Sequence, residues 1–254
     1  VRTTFDRIAQ QGAVDAVDAK APKNLPADVH VGLVSIKPGT GAVVAMYGGK
    51  DYLKRQLNDA TQGIAMAGST FKPFALIAGL EAGIGLDTVW NGDQPQIYEW
   101  DGKPYEVGNF GKKSFGKITL AEATARSVNT VYVPLGIQVG PEKVVEVARR
   151  AGIPNSVAID PYPSVVLGAA SPHVIDVASA YATFAAQGVY AKPYFIQTVN
   201  GRNGGVLYEA KPQGEQVFDS AVMADLTAAL KGVVDIGSGF EAKKLKRPAA
   251  GKTG

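Results

Sequence analysis

The distribution of apolar and polar positions predicts a chain in which short strands and helices are mixed. Residues 29–36 and 42–47 are rich in β-branched and other apolar side chains, and a Pro/Gly turn separates them. This arrangement is typical of an antiparallel hairpin. Residues 193–199 and 206–208 flank a stretch of Asn and Gly in the same way, which predicts a second hairpin.

Helical periodicity and capping residues predict the helices. Pro suits the first turn of a helix, where a missing N–H group costs little, and Gly is typical just after the helix end. The predicted helices are residues 6–19, a helix that follows Lys72, a helix opened by the capping box Thr119-Leu120-Ala121-Glu122, residues 141–151, a helix capped by Ser171-Pro172 that runs to Gln187, and residues 220–234. Pro22 and Pro26 break the first helix, so residues 1–28 are interpreted as a linker or pedestal.

The segment 90–116 has no clear period and is rich in Gly, Asn and aromatic residues. We therefore predict a loop there, with at most a short hairpin. Loops of this length in a compact domain are usually functional or mobile. Trp100, Tyr105 and Asn109 are accordingly candidate residues lining a binding groove.

Composition restricts the chemistry available to the protein. The 254 residues, 46% of them hydrophobic, suffice for one large domain or two modest ones. The absence of cysteine excludes disulfides, thiolate nucleophiles and Cys-ligated metals. His30 and His173 are far apart and lack metal-ligand spacing, so we expect both to be structural, with no metal and no cofactor.

Charge and hydropathy argue against some classes of binding partner. The net charge is +3, and the main basic run, residues 243–247, has no interleaved aromatic residues, which argues against nucleic acid. No run of about 20 apolar residues predicts a membrane span, and no signal peptide is recognisable. Because the sequence starts at Val1 rather than Met, we expect a leader or an upstream domain.

The residues that carry chemistry begin at Ser69 and Lys72. Three residues apart, they share one face of a helical turn, and mostly apolar residues follow them. A desolvated lysine loses part of its preference for the charged form and can accept the proton of a serine. The pattern indicates an activated serine nucleophile, with Ser69 as a simple N-cap residue as the alternative.

The same Ser-x-x-Lys spacing recurs at Ser114 and Lys117, so the spacing alone is weak evidence. There a glycine lies inside the motif and no apolar helix follows. We interpret this second match as part of a polar loop.

Three short motifs follow one another along the chain: Ser69-x-x-Lys72, Ser127-x-Asn129 and Lys252-Thr253-Gly254. Singly, the latter two could be a helix cap or turn and a strand-edge lysine. The ordered set is that of the penicillin-recognising serine enzymes. Longer stretches, among them residues 36–46, 56–61 and 180–188, resemble the bifunctional, class A penicillin-binding proteins, and the resemblance covers essentially the whole chain.

This resemblance implies an α+β fold of the penicillin-binding-protein and serine β-lactamase type. An antiparallel sheet flanked by helices would join an all-helical lobe, roughly residues 84–235, with the site in the groove between them. Residues 29–254 would be the transpeptidase domain, and residues 1–28 the linker from an upstream domain. A membrane helix and a glycosyltransferase domain are expected upstream, which would hold the protein at the extracytoplasmic face of the bacterial cell membrane.

The resemblance also implies a peptidoglycan D,D-transpeptidase that β-lactams inhibit covalently. Ser69 would attack the carbonyl between the two terminal D-Ala residues of a stem peptide, and Lys72 would be its general base. Ser127 would pass a proton to the leaving D-Ala nitrogen. An amine of a second stem peptide would resolve the acyl-enzyme, and other proteins of cell-wall synthesis or division are expected partners.

The remaining motif residues would bind the substrate. By the same resemblance, Asn129 would hydrogen-bond a substrate amide and help to hold Lys72. Lys252, Thr253 and Gly254 would bind the C-terminal carboxylate of the substrate, or the carboxylate of a β-lactam.

One departure from the family concerns the end of the sequence. In the family the Lys-Thr-Gly strand continues, a backbone N–H just past the glycine completes the oxyanion hole, and two strands and a helix follow. This sequence stops at Gly254. We therefore expect a remainder of the domain elsewhere, because Ser69 alone supplies one oxyanion donor, and losing one donor typically costs roughly 100- to 1,000-fold in rate.

Several alternatives remain beside this interpretation. A class A serine β-lactamase uses a Glu-x-x-Leu-Asn signature that does not occur here. A D,D-carboxypeptidase shares all three motifs and differs only in using water as the acceptor. A P-loop ending at residues 251–253 is rejected because position 246 is Lys rather than Gly. A β-lactam sensor or scaffold without catalysis is the last alternative.

Overall fold

The computed structural model describes residues 1–22, 24–26 and 28–254, so two positions of the predicted linker, Lys23 and Ala27, lie outside the described residues. The helices are α1 (Arg7–Lys20), α2 (Lys72–Glu81), α3 (Leu120–Arg126), α4 (Asn129–Val139), α5 (Pro141–Ala151), α6 (Val174–Ala185) and α7 (Ser220–Asp235). The strands are β1 (Arg2–Thr3), β2 (Leu33–Ile36), β3 (Val43–Tyr47), β4 (Val89–Asn91), β5 (Gln96–Trp100), β6 (Lys103–Val107), β7 (Lys117–Thr119), β8 (Val189–Ala191), β9 (Ile196–Asn200), β10 (Val206–Glu209) and β11 (Gly214–Gln216). Within the described ranges, none of the helices has the length and apolarity that crossing a bilayer requires.

The chain divides into two compact units. The first unit comprises residues 1–65, 150–154 and 172–217, and the second comprises residues 66–149, 155–171 and 218–254. The segment 172–217, which the resemblance predicts to belong to the all-helical lobe, thus clusters with the first unit. Within that unit α6 packs against both β2 and β8.

The first predicted hairpin of the first unit is confirmed. Strands β2 and β3 are antiparallel, with Leu33 opposite Tyr47 and Val34 opposite Met46. Residues 29–32, which we expected to extend β2, form no strand. In this register they would face residues beyond Tyr47, where the chain has already left the ladder.

The second predicted hairpin is also confirmed, since β9 and β10 pair antiparallel and β1 adds a third strand beside β9. Helix α1 packs on β3, where the Gln10 side-chain amide exchanges two hydrogen bonds with the backbone of Met46, at 2.9 and 2.8 Å. The first 20 residues therefore contribute to the packing of this unit. Their assignment as a linker from an upstream domain stays a prediction.

Helix α6 begins later than the sequence suggests. Its N-cap is His173 rather than Ser171, and the His173 N–H donates to the Asp176 carboxylate at 3.0 Å. The Nδ1 atom of His173 lies 2.9 Å from the same carboxylate. His173 thus has a structural role, as expected, but as the cap itself.

The second unit is built around α2. Residues from Lys72 to Gly79 are all buried, as expected of a helix that is apolar on every side, and α2 packs against α4 and α7. The predicted capping box of α3 forms in part. Thr119 Oγ1 accepts from the N–H of Glu122 at 3.2 Å, whereas the Glu122 carboxylate pairs with Arg126 at 2.8 Å.

The short hairpin predicted within the segment 90–116 is confirmed, and only the end of β4, Trp90 and Asn91, adds strand residues that the loop interpretation did not anticipate. That hairpin is β5–β6, with Tyr98 opposite Tyr105, while β4 pairs with β7. Half-buried and exposed residues alternate along β5. This period-two pattern covers only five residues. Because it mixes aromatic and charged side chains, the sequence does not clearly distinguish the two faces of the strand.

Candidate active site

A tight backbone contact fixes the turn that carries Ser69. Ser69 lies in a 3₁₀ helix, Gly68–Phe71, that leads directly into α2. The N–H of Gly68 donates to the carbonyl of Gly168 at 3.1 Å, and both glycines have positive φ, 55° and 76°. A Cβ atom on residue 168 would lie 2.0 Å from the Gly68 carbonyl oxygen, so the turn requires glycine there.

Lys72 is buried at the start of α2, and its Nζ atom contacts side chains from two motifs. It lies 3.0 Å from Ser69 Oγ and 3.0 Å from Ser127 Oγ. It also lies 2.7 Å from the Ser127 carbonyl and 2.7 Å from Asn129 Oδ1. Four oxygen atoms thus surround Nζ. A charged ammonium could donate its three protons to three of them. A neutral amine could donate its two protons to the carbonyl oxygens of Ser127 and Asn129 and accept a hydrogen bond from a serine hydroxyl. The geometry therefore suits both protonation states.

The surroundings of Lys72 favour the neutral amine. Burial, and then the nearby positive charge of Lys252, hold the pKa of Lys72 well below its ordinary value. The Tyr132 ring of α4 acts in the opposite direction, since its centroid lies 5.4 Å from Nζ, within the range of a cation–π contact. A buried lysine with a depressed pKa is the base that the sequence motif suggests.

Ser127 and Asn129 occupy the break between α3 and α4. Ser127 caps α3 in the left-handed conformation, with φ 60° and ψ 43°, a strain on the order of 1–3 kcal/mol for a non-glycine residue. The chain turns there, and Asn129 begins the next helix. The Asn129 amide donates to the Gly108 carbonyl at 3.0 Å while its oxygen faces Lys72.

The Lys-Thr-Gly segment has no regular secondary structure, but it reaches the same cluster. Lys252 Nζ donates to Ser127 Oγ at 2.8 Å and to the carbonyl of Thr253 at 3.0 Å. Burial lowers the pKa of Lys252 to about 8. Gly254 lies beside the turn that carries Ser69, where a Cβ atom on it would be 2.9 Å from the Thr70 methyl group.

The second unit thus holds every predicted motif residue, and Ser127 Oγ lies between the two lysines. The N–H of Ser69 has no acceptor among the described residues, so it is free to bind an oxyanion. The cluster brings together two serine hydroxyls, a buried amine and a second lysine, groups that could serve as nucleophile, proton carrier, base and cation. Acyl transfer requires these groups.

The candidate groove residues lie in the same unit, and Asn109 lines one cavity together with Ser127. The rings of Trp100 and Tyr105 both pack edge-on against Tyr162, with centroids 6.0 and 5.8 Å apart. Asn109 is buried, and its amide oxygen accepts from the N–H of Thr130 at 3.1 Å. Asn109 therefore braces the residue that follows Asn129, and a groove-lining role for all three stays a prediction.

Sequence reasoning missed two residues of the site. Ser238 Oγ lies 2.6 Å from Thr253 Oγ1, and the Tyr132 ring lies over Lys72. A weak sequence signal exists for each residue. Ser238 stands between two glycines shortly before Lys-Thr-Gly, and Tyr132 follows Asn129 by three residues, which places both on one helix face. Among the described side chains, no group of three or more His, Asp or Glu could hold a metal ion.

A family model described as the penicillin binding protein transpeptidase domain matches residues 31–254. The chain belongs to this family. It is 38% identical to penicillin-binding protein 1A of Mycolicibacterium smegmatis, over all of the chain and 33% of that protein. It is 37% identical to penicillin-binding protein 1A of Mycobacterium tuberculosis, over all of the chain and 32% of that protein. The chain spans about a third of the length of these curated relatives.

Solved structures agree with this assignment. PonA1 of Mycobacterium tuberculosis in complex with penicillin V superposes with a TM-score of 0.82 at 37% identity, over 92% of this chain and 63% of that chain. The D,D-transpeptidase domain of a peptidoglycan glycosyltransferase from Eggerthella lenta superposes with a TM-score of 0.80 at 25% identity, over 99% of this chain and 70% of that chain. The α+β fold and the resemblance to class A penicillin-binding proteins are therefore confirmed.

Proposed function

We propose that the protein is a serine D,D-transpeptidase that cross-links peptidoglycan stem peptides and that β-lactams acylate. One observation carries the proposal: the buried Lys72 Nζ lies 3.0 Å from Ser69 Oγ and 3.0 Å from Ser127 Oγ. The Lys72 amine can thereby take a proton from the Ser69 hydroxyl and pass it through the Ser127 hydroxyl to the leaving nitrogen. The family membership of the chain supports the same reaction.

In the acylation step, Ser69 Oγ attacks the carbonyl carbon between the terminal D-Ala residues while Lys72 Nζ takes its proton. The Ser69 N–H stabilises the oxyanion of the tetrahedral intermediate. The C–N bond then breaks, and the leaving nitrogen receives a proton through Ser127, which draws it from Lys72. A β-lactam follows the same course, except that its opened ring stays attached.

In the second step, the amine of another stem peptide attacks the ester on Ser69. Lys72 is neutral again once its proton has left through Ser127, so it can accept a proton from the attacking amine. Collapse of the second intermediate breaks the C–O bond and returns the proton to Ser69 Oγ. The cycle leaves one peptide cross-link and one free D-Ala.

Substrate binding falls to the remaining motif residues. Asn129 holds Lys72 through its oxygen and presents its amide nitrogen near a substrate amide. Lys252, charged below about pH 8, attracts the terminal carboxylate together with Thr253 and Gly254. Such a substrate lies outside the cell membrane, so the proposal includes an extracytoplasmic location and contact with other cell-wall proteins.

Intact-mass measurement after incubation with benzylpenicillin tests the proposal. The expected result is a stable adduct of one penicillin that disappears in Ser69→Ala. Ser114→Ala is the matched control, because Ser114 stands in the second Ser-x-x-Lys match, and it should keep the adduct. Hydrolysed penicillin without an adduct would favour a β-lactamase, and intact penicillin without an adduct would favour a non-catalytic module.

The acceptor requires a separate assay. A D-Ala-D-Ala donor peptide is incubated with and without an amine acceptor, and the products are separated by mass. A transpeptidase forms the joined peptide when the amine is present. Release of D-Ala without any joined product would identify a D,D-carboxypeptidase instead.

A further inference from the structure

Ser238 is held rigidly by the helix that positions Ser127. It lies in the turn after α7, and its N–H donates to the Ala125 carbonyl at 3.0 Å. The turn fits closely against that carbonyl, since a Cβ atom on Gly237 would lie 2.0 Å from it. Because Ala125 is two residues before Ser127, both serines are fixed by the same end of α3.

The hydroxyl of Ser238 is paired with Thr253. The two oxygens are 2.6 Å apart, a short distance for two hydroxyl groups, and both residues are exposed. Ser238 and Ser127 also line the same cavity, of about 270 Å³. The pair is therefore accessible to a ligand that binds beside Ser127.

We propose that Ser238 is a positioning residue that directs the Thr253 hydroxyl toward the carboxylate of the substrate or of a β-lactam. The proposal rests on the proposed function and adds a residue to its carboxylate site. Thr253 directly follows Lys252, so an anion drawn to the Lys252 ammonium comes within reach of the Thr253 hydroxyl.

Counting protons explains why Thr253 needs a partner. Each hydroxyl has one proton and can also accept hydrogen bonds. When Ser238 donates to Thr253 Oγ1, the single proton of Thr253 remains available for the anion, and the first hydrogen bond strengthens the second. Without Ser238, the Thr253 hydroxyl loses this orientation and rotates freely.

This role predicts an effect on binding rather than on bond breaking. The carboxylate is present before and after acylation, so Ser238 should change the dissociation constant Kd of the initial complex and leave the acylation rate constant k2 unchanged. The effect should also depend on the charge of the ligand. Benzylpenicillin and its methyl ester differ only in that carboxylate, and they are the two probes.

The experiment measures k2 and Kd for both probes with the unaltered protein, Ser238→Ala, Ser238→Thr and the control Ser114→Ala. We expect Ser238→Ala to raise Kd for benzylpenicillin roughly 3- to 10-fold, the contribution of one hydrogen bond, with k2 unchanged. The ester should show no such difference. Ser238→Thr retains the hydroxyl and should restore Kd, while Ser114→Ala should match the unaltered protein.

Three results would overturn the assignment. An equal loss with both probes, or a loss in k2, would mean that Ser238 only supports the local fold, and thermal unfolding of Ser238→Ala would report that directly. An unchanged Kd for benzylpenicillin would mean that Thr253 needs no partner. If the unaltered protein reacted with neither probe, the proposed function itself would fail, and the role of Ser238 with it.

Discussion

The chain contains the Ser-x-x-Lys spacing twice, and the two copies lie in different surroundings. Ser69 and Lys72 are joined by a 3.0 Å hydrogen bond at the start of α2, where Lys72 is 0% exposed. Ser114 accepts from the N–H of Gln94 at 3.2 Å, and Lys117 is exposed on β7. Within the described ranges, the Lys117 ammonium makes no hydrogen bond or ion pair.

The difference shows that spacing supplies only the residue types. The helical backbone at Ser69 brings the two side chains to one face, and the apolar residues after Lys72 remove water from its amine. In the second copy Ser114 lies in a segment without regular secondary structure that ends where β7 begins at Lys117, and the lysine is exposed to solvent. A lowered pKa requires burial, which the motif does not encode by itself.

The strongest test of this comparison removes each lysine in turn. Lys72→Ala should slow acylation by benzylpenicillin roughly 100- to 10,000-fold, because a positioned general base contributes about that much. Lys117→Ala should leave the rate unchanged. Stopped-flow measurement of k2/Kd decides the question, and similar losses in the two variants would contradict the assignment of Lys72 as the base.

A second test uses pH. Acylation should rise with pH as Lys72 loses its proton, and fall as Lys252 loses its charge near pH 8. Lys252→Gln should weaken acylation about 10-fold at neutral pH, consistent with the loss of a hydrogen bond to a charged group. Lys252 is the charged group that acts on the pKa of Lys72, and the Tyr132 ring is the aromatic group that faces its ammonium.

Lys252→Gln should also reshape the pH profile. The fall near pH 8 should disappear, and the acidic limb should move to higher pH, because the charge of Lys252 lowers the pKa of Lys72. Lys252→Arg, which retains a cation, should leave the acidic limb in place. An acidic limb that stays fixed in the Gln variant would contradict the coupling between the two lysines.

A third test concerns the ring over Lys72. Tyr132→Leu should move the acidic limb to lower pH by up to about one unit, since the ring favours the charged amine by roughly 0.5–1 kcal/mol or more. Tyr132→Phe keeps the ring and should leave the profile unchanged. In the native protein the Tyr132 hydroxyl lies 2.7 Å from Thr124 Oγ1. The Phe variant removes this hydrogen bond, so its free energy of unfolding should be lower by about 1 kcal/mol. A shifted profile in the Phe variant would rule out the cation–π explanation.

The smallest expected effect concerns the candidate groove residues. Replacing Trp100 and Tyr105 by Ala together should lower k2/Kd for benzylpenicillin a few-fold, because loss of their packing on Tyr162 disturbs the hairpin β5–β6. Tyr52→Ala, an exposed tyrosine of the first unit, is the control. Unchanged kinetics in the double variant would remove these residues from the site.

Sequence predicts the chemistry of this protein better than its local geometry. The motif residues are recognisable because each is chemically distinctive and their order is specific. Both main hairpins and helices such as α5 and α7 follow from turn residues and periodicity. These signals are local, so they can be read from neighbouring positions alone.

What escaped prediction depends on contacts between distant positions. Ser238 and Thr253 are 15 residues apart, and no periodicity connects them. His173 replaces the expected Ser171 as a cap because its ring reaches Asp176. The left-handed Ser127 results from the packing of two helices that end and begin beside it, and no residue preference of Ser predicts that conformation.

The contact between Gly68 and Gly168, at the turn that carries Ser69, restricts how this protein can evolve. Position 168 accepts no side chain, because a methyl group there would collide with the Gly68 backbone. Mutations at this contact would displace Ser69 and weaken the fold at the same time, so selection for slower reaction with an inhibitor gains nothing from them. Adaptive change is thereby directed to exposed positions outside this contact, whose side chains can vary without loss of the turn.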